Sequence, residues 1–204
     1  FYNPLLPNSV YFCNDGGLYR YDTNTAMFAD LSDGLVITQY YDIAVAQTNV
    51  NVVSGGSQDN GSMFRNASGV WDDFAPTGDG MNTAIDETDH TILYWEYQLG
   101  GIHRYMNGSN TSIKPPGTGD GAWETPFKLD PNNQSHIVIA YDKVYESFNK
   151  GSTWTAISGE LDGGNNMEQM AIAPSNSGRI YVTTYNKLFV KDIASNTWTQ
   201  KSTP

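Results

Sequence analysis

Short β-rich runs separated by polar turns dominate the chain. Residues 10–12, 50–53, 92–95, 137–140 and 180–183 are dense in β-branched and aromatic side chains, as buried strands are. Each run leads into a tight hairpin: Gly16-Gly17-Leu18-Tyr19, Asn60-Gly61-Ser62-Met63, Gly100-Gly101-Ile102-His103, Asp142-Lys143-Val144-Tyr145 and Asn186-Lys187-Leu188-Phe189. Aligned on residues 17, 61, 101, 143 and 187, the hairpins recur at steps of 44, 40, 42 and 44 residues. A second turn follows each hairpin, and three of these end on Trp: Gly69-Val70-Trp71, Ser152-Thr153-Trp154 and Asn196-Thr197-Trp198. Between units recurs an Asp-Gly pair, Asp33-Gly34, Asp79-Gly80, Asp120-Gly121 and Asp162-Gly163, followed by alternating segments such as Tyr41-Asp42-Ile43-Ala44-Val45. These segments read as the first strand of each unit.

Four short strands in about 40–45 residues is the size of a propeller blade. The pattern predicts an all-β propeller, or a segment of a larger one, with about five four-stranded blades and approximate repeats 1–34, 35–80, 81–121, 122–163 and 164–204. The first repeat lacks its innermost strand and the last ends soon after Trp198, so an arc is favoured over a closed ring. Every helical candidate is broken by Gly, Pro or Asn. Phe1-Tyr2-Asn3-Pro4 reads like the interior of a domain, which leaves processing or truncation open.

Composition narrows the function classes. Charged residues are only 16% and the net charge is −11, so the basic face that phosphate binding needs is missing and nucleic acid is not an expected partner. No apolar run reaches the ~18 residues of a spanning helix. Cys13 is the single cysteine, which excludes an internal disulfide framework; its neighbours Val10-Tyr11-Phe12 predict a buried structural thiol.

The turn Ser147-Phe148-Asn149-Lys150-Gly151-Ser152-Thr153-Trp154 resembles the Asp-box, the Ser-x-Asp-x-Gly-x-Thr-Trp hairpin of bacterial neuraminidase repeats, with Asn149 at the Asp position. The repeat spacing and Gly55-Gly56-Ser57-Gln58-Asp59-Asn60-Gly61 are similar to secreted bacterial propellers related to the sortilin and xyloglucanase propellers. The resemblance implies a propeller at an extracellular or cell-surface location, with Ser147, Asn149, Gly151, Thr153 and Trp154 as a structural box. It implies little about chemistry, because such boxes lie on the blade periphery of hydrolases, receptors and binding modules alike. Sialidase chemistry would need an arginine triad. The chain has four Arg, three of which (Arg20, Arg65 and Arg104) recur at or next to one repeat position, and the family's Arg-Ile-Pro motif is absent.

Candidate chemistry therefore sits elsewhere. Two carboxylates across a cleft could hydrolyse a neutral polysaccharide, and Asp79 and Asp120 are the candidates for that pair. Asp-Gly is also a favoured turn dipeptide, so its repetition reads first as structure. Gln58, Asp59 and Asn60 carry more side-chain acceptors than the other hairpins and could bind sugar hydroxyls, or simply make an Asn-Gly turn. Trp123 and Tyr41 are candidate stacking faces for a sugar, beside Tyr40, Trp95 and Tyr97; most propeller aromatics pack between blades. His90, His103 and His136 lie in three different repeats, so no transition-metal site and no cofactor is expected, while Asp-Gly oxygens leave calcium open. Five Asn-x-Ser/Thr sequons matter only in a eukaryotic secretory context. The reading is an extracellular, non-catalytic recognition or scaffold domain that binds glycan or protein on one face, with further blades or subunits as partners. The alternative is a glycoside hydrolase.

Overall fold

The computed structural model describes residues 1–14, 16–35, 38–75 and 78–202. The chain divides into two compact units, 1–39 and 40–204. The first holds one three-stranded antiparallel sheet, β1 (Ser9–Asn14), β2 (Gly17–Asp22) and β3 (Met27–Asp30). Phe1 and Tyr2 lie at the position that a first strand takes in the other sheets. Tyr11 N–H donates to Phe1 O at 2.8 Å, the Phe1 ammonium donates to Tyr11 O at 2.7 Å, and Tyr2 bridges Val10. Cys13 is exposed, which corrects the expectation of a buried thiol. A lone sheet has no second layer in its own unit to cover the face that carries Cys13.

The second unit holds four four-stranded sheets, each in simple up-and-down order. They are β4 (Tyr40–Val45), β5 (Val53–Ser57), β6 (Gly61–Arg65) and β7 (Trp71–Ala75); β8 (Gly80–Ile85), β9 (Leu93–Tyr97), β10 (Gly101–Met106) and β11 (Ser109–Ser112); β12 (Phe127–Asp130), β13 (Asn133–Ala140), β14 (Val144–Ser147) and β15 (Thr155–Ala156); and β16 (Gln169–Ile172), β17 (Ile180–Thr183), β18 (Leu188–Lys191) and β19 (Trp198–Lys201). Among the described residues there is no helix, and so none long and apolar enough to cross a membrane.

Three apolar layers separate the four sheets. Val52, Phe64, Ile85 and Leu93 lie between the first and second, Tyr94, Ile102, Phe127, Ile137 and Ile139 between the second and third, and Val138, Val144, Met170, Val182 and Phe189 between the third and fourth. Strand β13 shows why its sequence runs apolar without alternation. Its side chains point to opposite faces in turn, and both faces are covered: Ile137 and Ile139 enter one layer, Val138 and Ala140 the next. The first face of the β4–β7 sheet has no preceding sheet in its unit, and Trp71 there is exposed.

The 147–154 turn locks one such layer. Ser147 Oγ accepts from Gly151 N–H at 2.9 Å, and Asn149 Oδ1 accepts from Thr153 N–H at 2.8 Å, while Lys150 and Gly151 take left-handed φ of 58° and 82°. The folded turn is then held by the sheet before it. Arg104 Nη1 donates to Lys150 O at 2.6 Å, Trp154 Nε1 donates to Ile113 O at 2.7 Å, and the Lys150 ammonium pairs with the fully buried Asp86. Burial of Asp86 works against its ionisation, but the bonds from Lys150 and Thr88 outweigh it and hold the carboxyl below its usual range. Trp198 repeats the device one sheet on, donating to Ile157 O at 2.8 Å.

Trp154→Ala is expected to destabilise the 40–204 unit by about 2–4 kcal/mol, since it removes a partly buried ring and its hydrogen bond. Trp154→Phe, which keeps most of the ring and orphans the Ile113 carbonyl, should cost about 1–2 kcal/mol. Urea unfolding with an unchanged m-value reads both, and a Phe variant as stable as the parent would show that the indole N–H contributes nothing.

Candidate functional site

The hairpin tips between the second and third strands lie against the loops that lead into the next sheet's first strand. Gly61 N–H donates to Gly78 O at 3.0 Å and Gly61 forms a parallel bridge with Asp79. One sheet on, Leu99 N–H donates to Trp123 O at 3.2 Å and Gly121 N–H to Leu99 O at 3.0 Å; a further sheet on, Met167 N–H donates to Tyr141 O at 2.9 Å. These seams gather the sequence candidates of the second unit on one face.

The seams bring some candidates together and occupy others. Asp79 Oδ1 accepts from Asp59 N–H at 2.7 Å. Gln58 offers its backbone oxygen to the Asn60 amide at 3.0 Å, and Asp59 and Gly61 take left-handed φ of 61° and 69°, so 58–61 is a hairpin turn. Asp120 is exposed, and its backbone oxygen accepts from Asn166 Nδ2 at 3.1 Å. Asp79 thus engages the 58–61 hairpin and Asp120 the loop that leads into β16, so the two have different partners. Asp33-Gly34 and Asp162-Gly163 are closed turns, Leu35 N–H donating to Ser32 O at 2.8 Å and Asn165 N–H to Asp162 O at 3.1 Å. Among the described residues no three His, Cys, Asp or Glu side chains converge as metal ligands.

The aromatic candidates divide similarly. The Tyr40 ring covers Gly55, where an added Cβ would lie 2.5 Å from it, and Tyr97 covers Gly101 in the same way. Trp95 is buried. Trp123 is 52% exposed, and its Nε1 is 3.5 Å from the Tyr41 hydroxyl, across 82 residues of sequence. Beside it, Ala122 lines a polar cavity of about 380 Å³ together with Asp162, Asn165, Asn166, Thr184 and Tyr185. Tyr185 is 97% exposed, whereas Asp162 is committed to the Lys187 ammonium and to Thr184 Oγ1 at 2.8 Å.

The sequence reading missed three carboxyls behind Trp123. Glu96 is fully buried; its Oε1 accepts from Thr125 N–H at 2.8 Å and its Oε2 from Asn82 Nδ2 at 3.4 Å. Burial drives its proton affinity well above the usual carboxylate range against those two bonds, and the charges of Glu124 and Asp42 add to the rise. Burial and the nearby Asp42 also push Glu124 up. Asp42 accepts from Thr83 N–H at 3.1 Å, tying β4 to β8. A signal for Glu96 was present in the repeat. In hairpin register its counterparts are Cys13, Gly56, Ala140 and Thr183, all small, so a carboxyl stands in one sheet where the others have no bulk. With both oxygens held by protein, Glu96 ties Thr125, two residues after Trp123, to β9.

No family model and no curated protein matches the chain. Its fold is similar to that of several solved structures. The GH74 xyloglucanase from Xanthomonas campestris matches at 13% identity and TM-score 0.61, over 98% of this chain and 38% of that one. An extracellular domain assigned to a one component system of Bacteroides thetaiotaomicron matches at 15% identity and TM-score 0.62, over 97% and 27%. An auxiliary nutrient binding protein from the same organism matches at 11% and 0.53, over 98% and 55%. The chain spans less than two thirds of the length of each. The likeness places its sheets among propeller-type all-β folds.

Glu96→Gln tests the buried acid. The folded protein keeps a proton that the unfolded chain releases above about pH 4.5, so this group makes the parent lose stability as pH rises from there towards the higher folded value. The variant is expected to be at least as stable at neutral pH and to flatten that part of the stability–pH curve, as read by urea unfolding at a series of pH values.

Proposed function

We propose that the chain is part of an extracellular recognition propeller that binds a neutral glycan on the face formed by its hairpin tips and first-strand loops. One observation carries the reading: Trp123 presents an exposed ring, anchored through Tyr41 and Thr125, next to a cavity rich in Asn side chains and rimmed by Tyr185. A flat apolar face beside amide donors and acceptors suits a sugar ring, which has a C–H face and a hydroxyl edge. The net charge of −11 disfavours an anionic ligand. Similarity to a xyloglucanase supports glycan as ligand, and similarity to an extracellular domain of a one component system supports an extracellular setting. On this reading the 147–154 turn is an Asp-box with a structural role, and further blades or subunits extend the binding face.

A glycoside hydrolase is the second reading. It is favoured by one observation, a Glu96 whose proton affinity burial raises, within electrostatic reach of Asp42 and Glu124. Against it, Glu96 is closed off from solvent and both of its oxygens are engaged.

Affinity electrophoresis through gels containing xyloglucan, mixed-linkage glucan or galactomannan separates the two. The parent protein is expected to be retarded by at least one polymer, Trp123→Ala to weaken that binding about tenfold or more, a loss of ~1.4 kcal/mol, and Asp79→Asn and Asp120→Asn to leave it unchanged. Release of reducing ends that disappears in Asp42→Asn would establish the hydrolase instead. Retardation by no polymer would remove the basis of both.

A further inference from the structure

The series of residues that close the outer turns contains one break. In register, each pairs with the fifth residue of its hairpin alignment: Phe28 with Tyr21, Trp71 with Arg65, Asn110 with Tyr105 and Trp198 with Lys191. Trp154 holds the same place in the remaining sheet. Trp154 and Trp198 fill the gap towards the preceding sheet and donate to its backbone; Asn110 also donates to that backbone but is too short to fill the gap. Its Nδ2 still reaches towards that backbone, 3.4 Å from Phe74 O, and its Oδ1 accepts from Trp95 Nε1 at 3.1 Å.

A cleft of about 550 Å³ opens at this place between β7 and the β8–β11 sheet. Its floor is a run of rings: Phe74 and Trp95 are nearly parallel with centroids 5.9 Å apart, and Trp95 stacks on His103 at 4.4 Å. Tyr97, 43% exposed, forms a wall 5.7 Å from His103. Unused polar groups rim it. His103 Nδ1 donates to the Gly101 carbonyl at 3.1 Å, which leaves Nε2 as an acceptor. Gln98 Oε1 accepts from Asp79 N–H at 3.1 Å, and no described residue bonds its Nε2. Burial holds His103 below its usual range and therefore neutral, so no lining side chain carries a charge.

We infer that this cleft, opened by Asn110 at a Trp position, is a second binding site, separate from the Trp123 face, that takes a single neutral pyranose ring. The C–H face of the sugar lies on Tyr97, and its hydroxyls donate to His103 Nε2 and accept from Gln98 Nε2. A purely apolar ligand would leave both groups unpaired and desolvated, with nothing to offset the loss. A charged ligand would lose its hydration without gaining a counter-charge.

The test uses the indole N–H resonances of the five Trp residues as reporters, each assigned by substitution. Titration with methyl β-D-glucopyranoside or methyl β-D-xylopyranoside is expected to shift the Trp95 signal at millimolar concentration. The shift should disappear in Asn110→Trp, which refills the cleft. It should weaken about tenfold or more, ~1.4 kcal/mol, in Tyr97→Leu, which keeps Gly101 covered but removes the ring, and it should persist in Trp123→Ala. If the Trp95 signal responds to neither glycoside, or responds equally in Asn110→Trp and Tyr97→Leu, the inference is wrong, whatever happens at Trp123. A response to N-acetyltryptophanamide with none to the glycosides would make the cleft a receptor for a protein side chain and overturn the sugar assignment.

Discussion

A four-stranded sheet whose middle strand reads Ile137-Val138-Ile139-Ala140 cannot stand alone, because both of its faces need cover. Everything else in the second unit follows from that constraint. The sheets stack face to face, and each apolar layer must be closed at its outer margin, where strands end and carbonyls would otherwise meet solvent or be stranded. An indole does both tasks. The rings of Trp154 and Trp198 join the layers, and their single N–H groups satisfy the Ile113 and Ile157 carbonyls of the sheet before. A phenyl ring could fill the space and a serine could make the bond, but neither could do both.

The same economy explains the 147–154 turn. Its hydrogen bonds are local, so it forms from its own sequence, but its energetic role is non-local. It offers Lys150 O and the Lys150 ammonium to Arg104 and Asp86 of the neighbouring sheet. A buried carboxylate such as Asp86 would be costly alone, and removing its lysine would leave a charge in a dry place. The turn residues are therefore better understood as a clasp between layers than as a decoration on one sheet.

Much of this was legible in the sequence, because strand runs, Gly-bearing hairpins and Trp-ended turns are local signals repeated at a constant step. Asp33-Gly34 and Asp162-Gly163 were readable as turns for the same reason. The rest was hidden by distance along the chain. Tyr41 meets Trp123 across 82 residues, and Glu96 takes its partners from Asn82 and Thr125 in two other segments. Local pattern cannot say which loop faces which. Cys13 was misjudged because an apolar neighbourhood in sequence does not guarantee a covering layer, and its one-sheet unit supplies none.

What a repeat does reveal is where it is broken. Selection for packing acts alike on equivalent positions, so the side chain at each is set mainly by the layer it must fill, and a departure needs its own cause. Glu96 among Cys13, Gly56, Ala140 and Thr183 places an acid where bulk is otherwise avoided, and the protein accepts its desolvation in return for holding the segment behind an exposed Trp. Asn110 in the Trp position leaves open a margin of the kind that Trp154 and Trp198 close in the next two sheets. Both departures fall in the same sheet, β8–β11, on its two opposite faces. Packing alone gives no reason for two such exceptions in one repeat: Glu96 buries a carboxyl where the other sheets have small side chains, and Asn110 gives up the indole packing that Trp154 and Trp198 keep. The binding role proposed for this sheet does give one.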